Sequence, residues 1–218
     1  MILTHSKPTA KIPSPTTVAL VLVACLAGLF TTKASAEEKN QRYHIDMIIF
    51  EHLALKGWTE EYWPSIVDSA QIENVQDLTA TGRSPLFIEN ANPMLDAEAS
   101  RVAKNYRIIT HQSWVQNALG AKESPKLFLE ANQGSTSFYG TVKMYQSRFN
   151  HIEIDFNYER MIPNAVRSEF AQMQKIPLND LPTHWPFHIS AQRKMKSDEL
   201  HYIDHPLFGV LLQIRKLD

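Results

Sequence analysis

The stretch ELHYIDHPLFGVLLQI, from Glu199 to Ile214, decides the fold class because it holds two runs of alternating side chains around a short break. Residues before Pro206 alternate between apolar and polar, and so do the residues after it. Two such runs joined by a link of about three to five residues are typical of a β-hairpin. We therefore predict strands at 199–204 and 208–215.

The same period-2 alternation recurs upstream, and it predicts a protein built mainly of strands. The strand candidates are YHIDMIIFEH (43–52), YRIITHQSWVQ (106–116), FYGTVKMYQSR (138–148), NHIEIDFNYER (150–160) and FHISAQRKMK (187–196). The last of these leads through a short link into the C-terminal hairpin, so these three strands are predicted to form an antiparallel meander.

One helix is predicted between the strands. Leu95, Ala99 and Val102 recur at helical spacing within 93–106, whereas 53–94 has few periodic apolar runs and is interpreted as an irregular excursion. The sequence thus predicts an α+β fold in one domain. Its mainly antiparallel β-sheet has about six or seven strands, one or two helices packed against a face, and a C-terminal β-meander or hairpin.

Two strands carry explicit predictions about their faces. In 43–52, Tyr43, Ile45, Met47 and Ile49 are predicted to share one face, and both faces turn apolar towards the end of the strand. In 106–116, strict alternation predicts that every even-numbered residue from Tyr106 to Trp114 shares one face.

The first 36 residues resemble a secretory signal peptide. Lys7 and Lys11 precede an apolar run of thirteen residues, and Ala34-Ser35-Ala36 is a small-residue cleavage site. We predict a signal peptide at 1–36 and a single mature periplasmic domain at 37–218. An alternative is a lipoprotein anchored through Cys25, because LVAC resembles a bacterial lipobox.

The predicted mature chain has no cysteine and a formal net charge of −4, since the 22 Lys and Arg residues lose three with the signal peptide and the 23 Asp and Glu residues lose none. A thiolate-bound metal and a cysteine nucleophile are therefore not expected. The acidic balance argues against a general nucleic-acid binder, which needs a basic surface. The apolar run is too short for a bilayer span of about 20 residues and is removed with the predicted signal peptide, and no transmembrane helix is predicted in the mature chain.

Two catalytic alternatives were weighed against ordinary structural roles. His201 and His205 share one face of an extended strand but lie about 13 Å apart at strand rise, which is too far to chelate one ion without a bend. Glu153 and Asp155 lie about 7 Å apart on one strand face, which is compatible with a glycosidase pair. Formation of a turn is the simpler explanation for the histidine pair, and hydration of an exposed strand face is the simpler explanation for the two acids. No catalytic residue, metal or cofactor is therefore predicted.

A binding surface is the remaining hypothesis. On the predicted strand 187–196, the residues His188, Gln192, Lys194 and Lys196 form a polar and partly basic face. The turn from His201 to His205 is the second part of the hypothesis. Aromatic rings in 53–64 and at Trp114 could bind sugars or proteins, although a core position for Trp114 is the simpler interpretation.

Several of these segments together resemble the CsiV family, and the C-terminal run resembles it most specifically. That family carries a basic doublet, a serine and then E-L-H-Y-x-D-H-P-x-x-G. The matching residues are Arg193, Lys194, Ser197, Glu199, Leu200, His201, Tyr202, Asp204, His205, Pro206 and Gly209.

The resemblance implies a periplasmic, non-enzymatic, peptidoglycan-binding factor. It further implies a role in wall synthesis by a class A penicillin-binding protein, acting with its LpoA-type lipoprotein activator. The resemblance names no binding residues. Two alternatives stay open at this point, a purely protein-binding periplasmic adaptor and a cell-wall hydrolase.

Overall fold

Ten strands and two α-helices make up the part of the chain that the computed structural model describes, residues 41–64, 75–78 and 88–218. These residues belong to one compact unit, Asn40–Asp218. The predicted signal peptide, Cys25 and much of the predicted excursion lie outside the described residues.

The strands form two five-stranded sheets. Sheet A has the order β3-β4-β1-β10-β9, and sheet B has the order β2-β5-β6-β7-β8. All pairings are antiparallel except that of β2 with β5. The strands of sheet A are β1 (Arg42–His52), β3 (Glu89–Asn90), β4 (Tyr106–Asn117), β9 (Leu200–His205) and β10 (Phe208–Leu217). The strands of sheet B are β2 (Val75–Asp77), β5 (Lys126–Gln133), β6 (Thr136–Gln146), β7 (Asn150–Met161) and β8 (His184–Met195).

The two sheets face each other across one hydrophobic core. As predicted, alternate residues of β1 from Tyr43 to Ile49 face this core, and alternate residues of β7 from Ile152 to Tyr158 face it from the other sheet. The opposite faces of both sheets point away from this core, and part of the outer face of sheet A is covered by a second small cluster.

Three short helices complete the fold. A 3₁₀-helix, Lys56–Trp58, brings the Trp58 ring into the core against Phe170 of α2 (Arg167–Gln174), with ring centroids 5.4 Å apart. Helix α1, Asp96–Val102, lies within the segment where helical spacing predicts it. In the described residues, no helix is long and apolar enough to span a bilayer.

Helix α1 covers part of the outer face of sheet A. Leu95 packs with Ile48 and Phe50 of β1 in a second small cluster. The fully buried carboxylate of Asp46 accepts hydrogen bonds from the backbone N–H groups of Met94 and Leu95, just before the helix, and lies 2.7 Å from the His111 ring nitrogen. This carboxylate therefore fixes the start of α1 on the sheet.

A buried carboxylate also joins the two sheets. Glu51 of β1 is fully buried, and its Oε1 forms ion pairs with Arg107 of β4 and Arg160 of β7. Its Oε2 accepts hydrogen bonds from the Tyr158 hydroxyl at 2.6 Å and the Thr136 hydroxyl at 3.1 Å. Burial and the bond to Glu51 raise the pKa of Tyr158 well above its usual value, so the phenol stays protonated as the donor.

Two predictions about the strands are wrong. The predicted single sheet of six or seven strands is two sheets, and the predicted meander is interrupted because β8 and β9 belong to different sheets. The residues between them, 196–199, cross from one sheet to the other. Asp198 has a φ of 64° in this link, and its carboxylate lies 2.6 Å from Arg215 Nε.

The prediction for the faces of 106–116 is also wrong, because β4 contains an irregularity. Its register with β1 shifts between Ile49 and Phe50, which leaves Ile109 as an extra residue. Trp114 faces the core as its even position predicts, whereas Tyr106 pairs with His52 on the outer face of the sheet. A β-bulge exchanges the two faces of a strand in this way.

The Glu51 network gives a stability prediction. We expect Glu51→Gln to lower the free energy of unfolding by about 3 kcal/mol, because it leaves the Arg107 and Arg160 guanidinium groups without their counter-charge in a buried setting. The matched control is Glu89→Gln, which removes an exposed ion pair to Arg42 and should cost less than about 1 kcal/mol. Urea unfolding of both variants measures the difference, and equal costs would contradict the role of Glu51.

Candidate functional site

A groove crosses the outer face of sheet B, on the side away from the core. It has a volume of about 320 Å³ and is built from four neighbouring strands. Residues with alternating outward side chains supply most of its walls, since the inward residues fill the core. The lining residues of this sheet B groove are Lys126, Thr141, Lys143, Glu153, Ile154, Asp155, Ser190, Ala191 and Gln192.

The groove carries charges of both signs. Lys126 and Lys143 come from β5 and β6, while Glu153 and Asp155 come from β7. Lys143 lies directly across from Glu153 in the strand pairing, and its Nζ donates to the Ala121 carbonyl oxygen at 2.5 Å. A ligand in the groove would therefore meet cations from one side and carboxylates from the other.

Hydrogen bonds hold the acids in place. Asp155 Oδ1 lies 2.6 Å from His188 Nε2 on the neighbouring strand. Gln192 Nε2 donates to the Glu153 carboxylate at 3.3 Å and to the Tyr145 hydroxyl at 2.5 Å. Burial and the neighbouring Glu153 carboxylate raise the pKa of Tyr145. These bonds cross between strands, so they fix the groove's shape without a ligand.

Rings and cations lie beside the groove at the turn between β6 and β7. Tyr145 stacks on His151, with centroids 5.0 Å apart and planes 11° apart. The ring of Phe149 is 41% exposed, and Lys194 Nζ lies 3.1 Å from its centroid, with Arg148 at 5.4 Å. This turn thus presents an exposed ring between two positive charges.

The structure brings together only part of the predicted binding surface. His188, Gln192 and Lys194 lie on the groove side of β8, each opposite an outward residue of β7. Arg193 points to the other side of the strand, as alternation requires, and is exposed at the sheet edge. Lys196 lies in the link that follows, 3.6 Å from the Glu199 carboxylate.

The predicted second half, from His201 to His205, lies in sheet A, so it does not continue the groove. His201 and His205 face inward on β9, whereas Tyr202 and Asp204 face outward. His201 is 3.7 Å from Glu199, and its Nε2 is buried without a hydrogen-bond partner in the described residues.

His205 is part of the core. It is 8% exposed, and its ring stacks on Phe208 at 4.5 Å and lies 5.1 Å from Trp63. Its Nδ1 accepts a hydrogen bond from the Leu207 N–H at 3.2 Å, across the turn. Burial, together with His52 nearby, lowers the pKa of His205 to about 4. A surface contact with a polymer is therefore not open to this ring, which instead shapes the turn.

The other candidates can also be placed. Trp58 and Trp114 are fully buried, and Trp63 packs against the core, so these rings do not form a sugar-binding surface. Tyr62 remains exposed. Among residues 41–64, 75–78 and 88–218, no three His, Asp or Glu side chains are placed to hold a metal ion.

A second surface feature lies on the outer face of sheet A, beside the turn between β9 and β10. It consists of Phe50, His52, Tyr106, Tyr202 and Asp204, and we name it the tyrosine platform. Its rings come from three strands that the sequence places far apart. Only Tyr202 and Asp204 were predicted as binding residues.

The sequence did not predict the groove residues of β5 and β6, because these residues, like the rings of the tyrosine platform, come together only when separate strands pair. Lys126, Thr141 and Lys143 carry no motif, and only the pairing of β5, β6 and β7 brings them beside Glu153 and Asp155. The alternation in β6 already placed Lys143 on an outward face. A pairing of β6 with β7 through their short connecting turn could have been predicted from that alternation.

The fold and the groove define a two-sheet binding protein, and comparison with known proteins gives its family. The family model described as "Peptidoglycan-binding protein, CsiV" matches residues 17–217, nearly the whole chain. The chain therefore belongs to the CsiV family, as the C-terminal motif predicted. Searches of curated proteins and of solved structures returned no match.

The buried imidazole gives a prediction for pH. An unfolded histidine has a pKa near 6.5, whereas that of His205 is about 4, so the unfolded chain binds this proton more readily between those values. We expect His205 to contribute a loss of stability of up to about 3 kcal/mol as the pH falls from about 6.5 to about 4.

The measurement is denaturant unfolding of the wild type and of His205→Asn at several pH values between 4 and 7.5. The asparagine oxygen can accept the Leu207 N–H but does not titrate. The wild type should therefore lose its advantage over the variant as the pH falls. A stability difference that stays constant over this range would contradict the assignment.

Proposed function

We propose that this protein binds peptidoglycan through the sheet B groove. Peptidoglycan consists of acetylated amino sugars that carry short peptides, and those peptides bear carboxylates and free ammonium groups. The observation that carries the proposal is the charge order of the groove, with lysines on β5 and β6 and carboxylates on β7.

The groove suits the peptide part of the polymer. The Lys126 and Lys143 ammonium groups can bind peptide carboxylates, and Glu153 and Asp155 can bind a peptide ammonium group. Since both acids are already held by neighbouring side chains, little further ordering is needed when a ligand binds. Two further exposed cations lie beside the groove, Arg148 in the turn between β6 and β7 and Lys194 on β8.

The proposed setting is the periplasm, reached through the signal peptide predicted at 1–36 and with cleavage after Ala36. The proposed role is non-enzymatic. Binding to the wall would support synthesis by a class A penicillin-binding protein and its LpoA-type lipoprotein activator. What supports this role is membership of a family described as peptidoglycan-binding.

The test is retention of the purified protein on isolated sacculi. We expect Lys126→Ala/Lys143→Ala to reduce retention by about tenfold, because two charge-assisted contacts are lost at roughly 0.7 kcal/mol each. Wild-type retention should also fall as salt is raised, since exposed charges are screened.

The matched control is Lys104→Ala/Lys216→Ala, which removes two exposed lysines outside the groove and changes the net charge equally. Equal retention of the two double variants would reject the groove as the binding site. Release of soluble fragments from labelled sacculi, with or without a chelator, would instead indicate a hydrolase and contradict the non-enzymatic role.

A protein-binding adaptor without glycan affinity is the second candidate. In the described residues, β8 and β9 each pair with a strand on one side only, so both sheets present an open edge to which a partner strand could add. Such an adaptor would co-purify with the synthase or its activator and ignore sacculi. Retention on sacculi without either protein would reject this candidate.

A further inference from the structure

The tyrosine platform is an ordered set of rings on the outer face of sheet A. The Phe50 ring lies 5.1 Å from Tyr106 on one side and 6.2 Å from Tyr202 on the other, where the two planes are within 11° of parallel. His52 lies 5.2 Å from Tyr106. Phe50 is buried beneath its neighbours, whereas Tyr106 is 39% exposed and Tyr202 is 48% exposed.

A glycine lets these rings lie against the sheet. A Cβ atom at Gly209 would come within 2.6 Å of Phe50 Cζ and 2.8 Å of Tyr202 Cε2, both closer than atoms can approach. Gly209 pairs with Phe50 on one side and with Asp204 on the other. The bare backbone at this position therefore lets the two rings lie where a side chain would otherwise stand.

Polar groups surround the rings. The Tyr202 hydroxyl donates to Asp204 Oδ1 at 2.5 Å and lies 3.5 Å from His52 Nε2. His52 Nδ1 lies 3.1 Å from the Pro206 carbonyl oxygen, which orients the imidazole from behind. The exposed carboxylate of Asp204 keeps a second oxygen for a ligand.

We propose that the tyrosine platform binds the glycan part of the wall polymer, a β-linked N-acetylated amino sugar. A pyranose ring has an apolar C–H face and polar hydroxyl edges. The more exposed ring, Tyr202, suits the first, with the inclined Tyr106 ring at its side, and Asp204 and His52 suit the second.

The size and charge of the platform favour a sugar over a protein partner. Two partly exposed rings with an acid beside them give a small and polar surface, whereas a stable protein interface buries about 800 Å² on each side. An anionic ligand is disfavoured as well, since the exposed charge among the platform residues is the Asp204 carboxylate.

This inference deepens the proposed function and rests on it, because it assigns the sugar to one face of the protein and the peptide to the other. The two assignments can be tested independently of each other. The groove is tested with whole sacculi, while the platform is tested with a sugar that has no peptide.

The probe is chitotetraose, a β-1,4-linked oligomer of N-acetylglucosamine, titrated into the purified protein and followed by saturation-transfer NMR. We expect binding to weaken by about tenfold in Tyr202→Ala, a loss of the size that aromatic stacking contributes. Tyr62→Ala is the matched control, since Tyr62 is exposed at 60% outside the platform. Tyr202→Phe should retain most of the binding, because the stacking face remains.

Gly209→Ala provides an independent variant that keeps every functional group and only displaces the rings. It should weaken chitotetraose binding while the groove variant Lys126→Ala/Lys143→Ala leaves it unchanged. Absence of chitotetraose binding, or equal binding by Tyr202→Ala and Tyr62→Ala, would overturn the platform assignment even if sacculi retain the protein. Chitotetraose binding that is weakened in both Tyr202→Ala and Gly209→Ala but not in Tyr62→Ala would support the assignment even if the groove fails.

Discussion

One buried carboxylate connects the parts of this protein that face each other. Glu51 sits at the end of β1 and receives hydrogen bonds or ion pairs from both sheets. Its neighbours in the chain, Phe50 and His52, point outward and belong to the tyrosine platform. Arg160 strengthens this connection, since it pairs with Glu51 and also donates to the His52 carbonyl oxygen at 2.9 Å. The packing of the sheets and the position of the platform therefore depend on the same charge.

Because side chains fill the core around this carboxylate, the two candidate binding surfaces lie on the outer faces of the sheets. Large rings fill the space between the sheets, including Trp58, Trp114 and Trp185, each almost fully buried. A core packed in this way leaves no room for a ligand. The outward residues of β7 and β8 are then free to differ from the core in polarity, and they supply acids, amides and hydroxyl groups to the groove. In sheet B, strand parity thus places the core residues and the groove residues on opposite faces.

Alternation predicted much of the local structure but little of the arrangement. The faces of β1 and β7 could be read directly, because strict period-2 patterns reveal which side chains are buried. The order of the strands in the sheets could not be predicted, because a single sheet and two facing sheets both require strands with alternate buried side chains. The bulge at Ile109 has no marker in the sequence, and it places Tyr106 on the opposite face of the strand from Trp114. Alternation also gave the shared face of Glu153 and Asp155 on β7, whereas Lys126 and Lys143 come beside them only through the pairing of β5, β6 and β7. His205 was interpreted from its neighbours in the chain, whereas its pKa depends on burial among Trp63, Phe187 and Phe208.

The arrangement of the two sheets has a geometric consequence if this protein binds ligands on both of its outer faces. The sheet B groove and the tyrosine platform point in opposite directions, with two β layers about 10 Å apart between them. A single disaccharide with its attached peptide cannot wrap around that thickness to occupy both. If this protein bound wall polymer at both surfaces at once, it would instead lie between two neighbouring glycan chains. Its own thickness would then set the distance between those chains.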